Sequence, residues 1–151
     1  MTPLAPQHIP TFVLAGHSRF VIKSLRTSAE MAMQVNYAPK RKVYYVAVYT
    51  GAKVKRHNSM YVGTFFPETG TYRHSSKSKV PAGSDVAKAV QWFFDNYLFN
   101  ATAFSDQAQL MHVGKCGRCG KPLKEEHENG LGAYCSEIIT EQLTIILQHI
   151  S

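Results

Sequence analysis

The sequence is short of acid where it is richest in base. Residues 1–98 hold 4 Asp and Glu against 13 Lys and Arg, a balance of +9, whereas residues 99–151 hold 6 against 4, a balance of −2. Metal-dependent phosphoryl transfer and nuclease chemistry gather divalent cations on carboxylates, and the first two-thirds of the chain has few to offer. Long apolar runs are missing too: nothing approaches the ~18–20 residues that span a bilayer. The opening Met1-Thr2-Pro3-Leu4-Ala5-Pro6 has neither a charged n-region nor an apolar h-region, so a secretory signal is not expected and a cytoplasmic location is. Cysteine is scarce, 3 in 151 residues, which rules out a disulfide framework that pairs them all. Seven histidines invite a catalytic reading, yet no Ser/His/Asp order, nucleophile elbow, phosphate-binding glycine loop, paired-carboxylate motif or deaminase H-x-E accompanies them. The expectation is a binding protein and not an enzyme.

What is present reads as an α+β chain with a core of its own. At 44% hydrophobic and 18% charged the composition is globular. Residues 1–14, with three prolines, read as a flexible tail. Arg19–Leu25 and Glu30–Tyr37 read as strands, the second through alternation of Met31, Met33, Val35 and Tyr37. Val43 to Thr50, almost wholly β-branched or aromatic and ended by Gly51, is the strongest strand signal. Met60–Phe66 and Thr71–His74 complete an expected antiparallel meander. Ser84 is a candidate cap for a helix in which Val86, Val90, Phe93, Phe94 and Tyr97 share one face. The expected domains are therefore a basic β-sheet plus one packed helix over 15–98, a linker over 99–111, and a metal-binding module over 112–151.

That module carries the sharpest signal. Cys116-Gly117-Arg118-Cys119-Gly120 sets two thiols three positions apart around glycines that permit a tight turn, the pattern of a zinc knuckle. Cys135 follows Gly130-Leu131-Gly132-Ala133-Tyr134 at the start of a segment in which Ile139, Leu143, Ile146, Leu147 and Ile150 repeat at helical spacing. A thiolate in a first helical turn is favoured by the dipole. Knuckle, connection and helix-borne ligand form a treble-clef-like layout for structural zinc. A closed site needs four ligands. His112 and His127 are the candidates for the fourth, His112 being preferred for its short tether to the knuckle.

The run His112-Val113-Gly114-Lys115-Cys116-Gly117-Arg118-Cys119-Gly120-Lys121-Pro122-Leu123, with Gly130 to Cys135, resembles a family of unknown function common in small phage and plasmid proteins. Its members carry a basic β-rich region and then a C-terminal H-x-G-x-C-G-x-C-G finger closed by a G-x-G-x-x-C segment. Phe20 to Ser24, Tyr61 to Thr64 and Trp92-Phe93-Phe94 are similar to it more loosely. The resemblance implies His112 as a zinc ligand and a bacterial host cell, and brings no activity. Two departures, a shorter loop before Gly130 and Ala133-Tyr134 in place of a proline segment, move the fourth ligand toward His127.

The excess of base points to an anionic partner. Lys40, Arg41 and Lys42, then Lys53, Lys55 and Arg56, then Arg73, Lys77 and Lys79 flank aromatic strands and are the candidate contacts to nucleic acid, DNA before RNA. The alternative is a host protein: an inhibitor or modulator of a host enzyme or defence system.

Overall fold

A computed structural model describes residues 1–49, 58–124 and 128–138. Its centre is an antiparallel sheet of seven strands: β1 (Thr2–Pro3), β2 (His17–Ser24), β3 (Glu30–Ala38), β4 (Val43–Tyr49), β5 (Ser59–Phe66), β6 (Thr71–His74) and β7 (Ala108–His112). The spatial order is β1-β7-β2-β3-β4-β5-β6. Strands β2 to β6 form the expected meander. Helices α1 (Ile9–Val13), α2 (Asp85–Trp92) and α3 (Ala101–Gln107) accompany it, with a 3-10 turn at Pro6–His8 and a π-helical turn at Phe93–Tyr97. No helix among the described residues is long and apolar enough to cross a membrane.

Pleating divides the sheet into two faces. Phe20, Met33, Val35, Tyr44, Val46, Val48 and Phe65 join Val90, Phe93 and Phe94 in one continuous core. Aromatic stacking ties the layers: the Phe94 ring lies 4.9 Å from Tyr72 and 5.2 Å from Phe65. Ser84 caps α2 as expected, its hydroxyl accepting from the Ala87 amide at 3.2 Å. Val86, placed on the packed face by spacing, is instead exposed. Ala87 takes the inward position, and the π turn then adds a residue so that Phe93, Phe94 and Leu98 are all buried.

The strand aromatics do not split as simple alternation requires. The β4–β5 register shifts between Val46 and Ala47, which pair with Gly63 and Tyr61. The extra residue sends Val62 and Phe65 into the core and leaves Tyr61 outside, on the face that also carries Tyr45.

Two expectations are corrected by burial. Residues 1–14 are not a flexible tail: β1 pairs with β7, and Leu4, Ile9, Phe12 and Val13 are core. Residues 99–111 are not a linker. They form α3, capped by Asn100, and then β7, which lies between β1 and β2 with Leu110 fully buried. More than one helix therefore covers the sheet.

Candidate metal centre and basic face

Strand β7 runs directly into the cysteine knuckle. Gly114 and Gly120 adopt φ of +80° and +74°, a left-handed conformation that glycine tolerates without strain. They let the chain reverse, so that the Cys116 amide donates to the Lys121 carbonyl at 2.8 Å and the Gly120 amide to the Cys116 carbonyl at 2.9 Å. Gly117 and Gly130 serve a different purpose. A Cβ on either would stand 2.7 Å or less from Cδ2 of Phe12, a fully buried ring of α1. Phe12 thus wedges between the two halves of the module, and the Gly117 carbonyl accepts from the His17 amide of β2 at 2.7 Å. The knuckle is docked on the sheet.

Cys135 enters on the helical segment 133–138, in its first turn as expected. The sulfurs of Cys116, Cys119 and Cys135 lie within 4.8 Å of one another, a group able to hold a metal ion. The surroundings suit thiolates. Burial pushes the Cys116 thiol up, but backbone amides of Gly132, Cys119 and Arg118 outweigh it and hold the group below its ordinary range. The Gly132 amide lies 3.4 Å from Cys116 Sγ, and Arg118 Nη1 3.6 Å from Cys135 Sγ. Burial raises Cys135, with Cys116 and Cys119 adding to that rise and Arg118 opposing it. Three soft donors sharing amide and guanidinium support fit a thiophilic ion such as zinc.

His112 is placed otherwise than its spacing suggests. Among the described residues the gathered group holds the three cysteines alone. The register of β7 directs the His112 ring inward, where it is 2% exposed and packs 6.0 Å from Phe12. Its Nδ1 accepts from the Gly114 amide at 3.1 Å. His127 lies outside the described residues, as do the positions 139–151 expected to continue the helix.

The basic residues gather partly. Lys40, Arg41 and Lys42 are exposed in the β3–β4 turn. Arg41, Lys42 and Arg73 line a cavity of about 440 Å³ with Phe66, Thr71 and Glu68, the one carboxylate set among them. Arg41 also lines the adjoining cavity of about 610 Å³ on the sheet face opposite the main core, with Lys77, Tyr45 and Tyr61. Arg41 Nη1 donates to the Tyr45 hydroxyl at 3.2 Å, and the two tyrosine rings meet edge to face at 5.9 Å. Lys40 and Lys79 line neither cavity, and Lys53, Lys55 and Arg56 lie outside the described residues. Sequence reasoning passed over Gln34 and Asn36, which line the second cavity. The alternation of β3 held the signal, since both sit opposite in phase to the core residues Met33 and Val35.

Compared with known proteins, the chain matches no family model, no curated protein and no solved structure.

Proposed function

We propose that the chain is a zinc-containing accessory protein of phage type that binds nucleic acid through its basic sheet face, with the metal centre as scaffold. The observation that carries the reading is the position of Arg41. It belongs at once to a cationic cleft with Lys42 and Arg73 and to an aromatic cleft with Tyr45, Tyr61 and Lys77. Phosphate-binding cations beside exposed ring faces are the two requirements of single-strand and backbone binding. The resemblance of residues 112–135 to small phage and plasmid proteins supplies the phage-type part of the reading.

A salt titration by gel shift tests it. Four phosphate contacts give log K against log salt a slope of about −3 on single strands, from about −0.7 per contact. Arg41→Ala should flatten it by about 0.7. Absence of affinity at low salt would overturn the reading.

For the metal we infer a treble-clef-like zinc site with Cys116, Cys119 and Cys135 as ligands. The Gly114 bond to His112 Nδ1 weighs toward His127 as the fourth. Elemental analysis of protein purified without chelator should find one zinc per chain, reduced in His127→Ala and retained in His112→Ala. Zinc-free protein would sink the assignment.

A second reading, modulation of a host enzyme or defence protein, has its own support. Trp92 is 62% exposed on α2 and lines an apolar cavity of about 380 Å³ with Ile22, Met31, Val86 and Phe104. Exposed apolar ground of this kind suits a protein contact. A stoichiometric partner recovered from nuclease-treated host lysate and lost in Trp92→Ala would favour it over nucleic acid.

A further inference from the structure

We propose that the cysteine module is a second contact for a single nucleic-acid strand, where the Tyr134 ring stacks a base and Lys121 and Lys124 meet the phosphates. The proposal rests on the nucleic-acid reading above and extends it from the basic turns to the metal-binding module.

Topology brings the two regions to one rim. Antiparallel pairing sets the start of β2, the end of β3, the start of β4, the end of β5 and the start of β6 at one end of the sheet. Strand β7 runs antiparallel to β2 and ends there too, so the knuckle that follows it stands at that end. The basic turn 39–42 and the cleft of Arg41, Lys42 and Arg73 stand there as well. Gly16 marks the junction: a Cβ on it would lie 3.8 Å from the Arg118 carbonyl oxygen and 4.0 Å from Cβ of Tyr37. Tyr37 is itself exposed, just ahead of the basic turn. At about 4.8 Å per strand, the rim from β7 to β6 measures about 24 Å. A stacked strand rising about 3.4 Å per nucleotide covers that with about seven nucleotides.

The module has the chemistry for its end of the path. A cavity of about 590 Å³ beside the thiols is lined by Arg118, Lys121, Lys124, Pro122 and Tyr134, with no carboxylate among its described lining residues. Glu128 and Glu137 belong to the module but line none of it. Three thiolates on a divalent ion carry one net negative charge, and the Arg118 guanidinium, 3.6 Å from Cys135 Sγ, offsets it. Lys121 and Lys124 are exposed, and neither ammonium has an ion pair with a described residue. Tyr134, at 73%, is the most exposed large apolar side chain described, and it has no ring contact or side-chain hydrogen bond to a described residue. A free ring and unpaired cations on one cavity suit a base with its phosphates. Continuity with the Arg41 cleft favours a polyanion long enough to reach both, since a compact ligand fills one cavity alone.

The test is fluorescence anisotropy with an oligothymidine strand of about 12 nucleotides, longer than the rim. Tyr134→Ala should bind about 5- to 150-fold more weakly, the loss of one stacked base, whereas Tyr134→Phe keeps the ring and the affinity. Lys121→Gln combined with Lys124→Gln should flatten the slope of log K against log salt by about 1.4, at about 0.7 per phosphate contact. Zinc content is measured throughout, and if Tyr134→Ala fails to hold the metal, the lysine pair decides. Wild-type affinity in Tyr134→Ala, or a slope unmoved by the lysine pair, while Arg41→Ala is weakened, would overturn the proposal and leave the nucleic-acid reading intact. No binding of the strand at low salt would overturn both.

Discussion

The sheet body and the cysteine module are held together by different physics. In the body, rings such as Phe20, Phe65 and Phe94 are each sealed from water by several neighbours, and no single contact decides the fold. In the module described here, Leu131 is the one fully buried large side chain after His112, and two of the buried residues are the cysteines Cys116 and Cys135. The body is stabilised by burial spread over many residues, whereas the module gathers three thiols able to hold a metal ion around one point. The difference teaches where each is to be tested: the body by lost volume, the module by loss of its thiols.

The largest test separates the two. Apparent zinc binding at structural sites is worth on the order of 10–16 kcal/mol. A strong chelator should therefore abolish amide hydrogen-exchange protection in residues 114–138 while β3, β4 and β5 keep theirs. Uniform loss across the chain would show that the body has no stability of its own.

A smaller change strikes the point where the regions meet. Phe12 contributes to the core and fills the space beside Gly117 and Gly130, so Phe12→Ala should destabilise by about 3–5 kcal/mol in denaturant unfolding. It should also weaken metal retention. Unchanged retention would make the two regions independent neighbours. The smallest change approaches the same contact from the other side. Gly117→Ala puts a methyl against the Phe12 ring and 3.0 Å from the Phe12 carbonyl, overpacking worth about 1–3 kcal/mol by thermal unfolding. Pairing it with Phe12→Ala should recover part of that loss, because the ring it strikes is gone.

Much of the body could be read from residue order because its strands are locally self-consistent. Val43 to Tyr49 is β-forming at nearly every position and follows a turn, so pattern and structure agree. The elements that escaped are those defined by distant partners. Thr2–Pro3 and Ala108–His112 are too short for periodicity to register: the second becomes a strand because β2 lies beside it, and the first because the second does. Tyr61 and Phe65 fell on opposite faces through a single bulge that alternation does not announce. For the site, the cysteines were legible because ligand spacing is itself local. The direction of the His112 ring was not, since it is dictated by the register of β7 against β2. Gln34 and Asn36 were visible as the polar phase of β3, but not that Tyr49 and Arg19 hold their oxygens from neighbouring strands.

The place of β7 has a consequence for the order of events during synthesis. Phe20 to Ser24 of β2 pair with residues 108–112, and Thr2 pairs with His112. A nascent chain that has not yet delivered those residues to the exit of the ribosome holds β2 with one edge unpaired, beside a buried-to-be Phe20 and Val21. Closure must await the last third of the chain; Cys116 and Cys119 follow shortly after it, and Cys135 only on the segment beyond Gly132. The edge of β2 can thus be sealed before the third thiol of the group arrives, so the three cysteines gather on a sheet already closed.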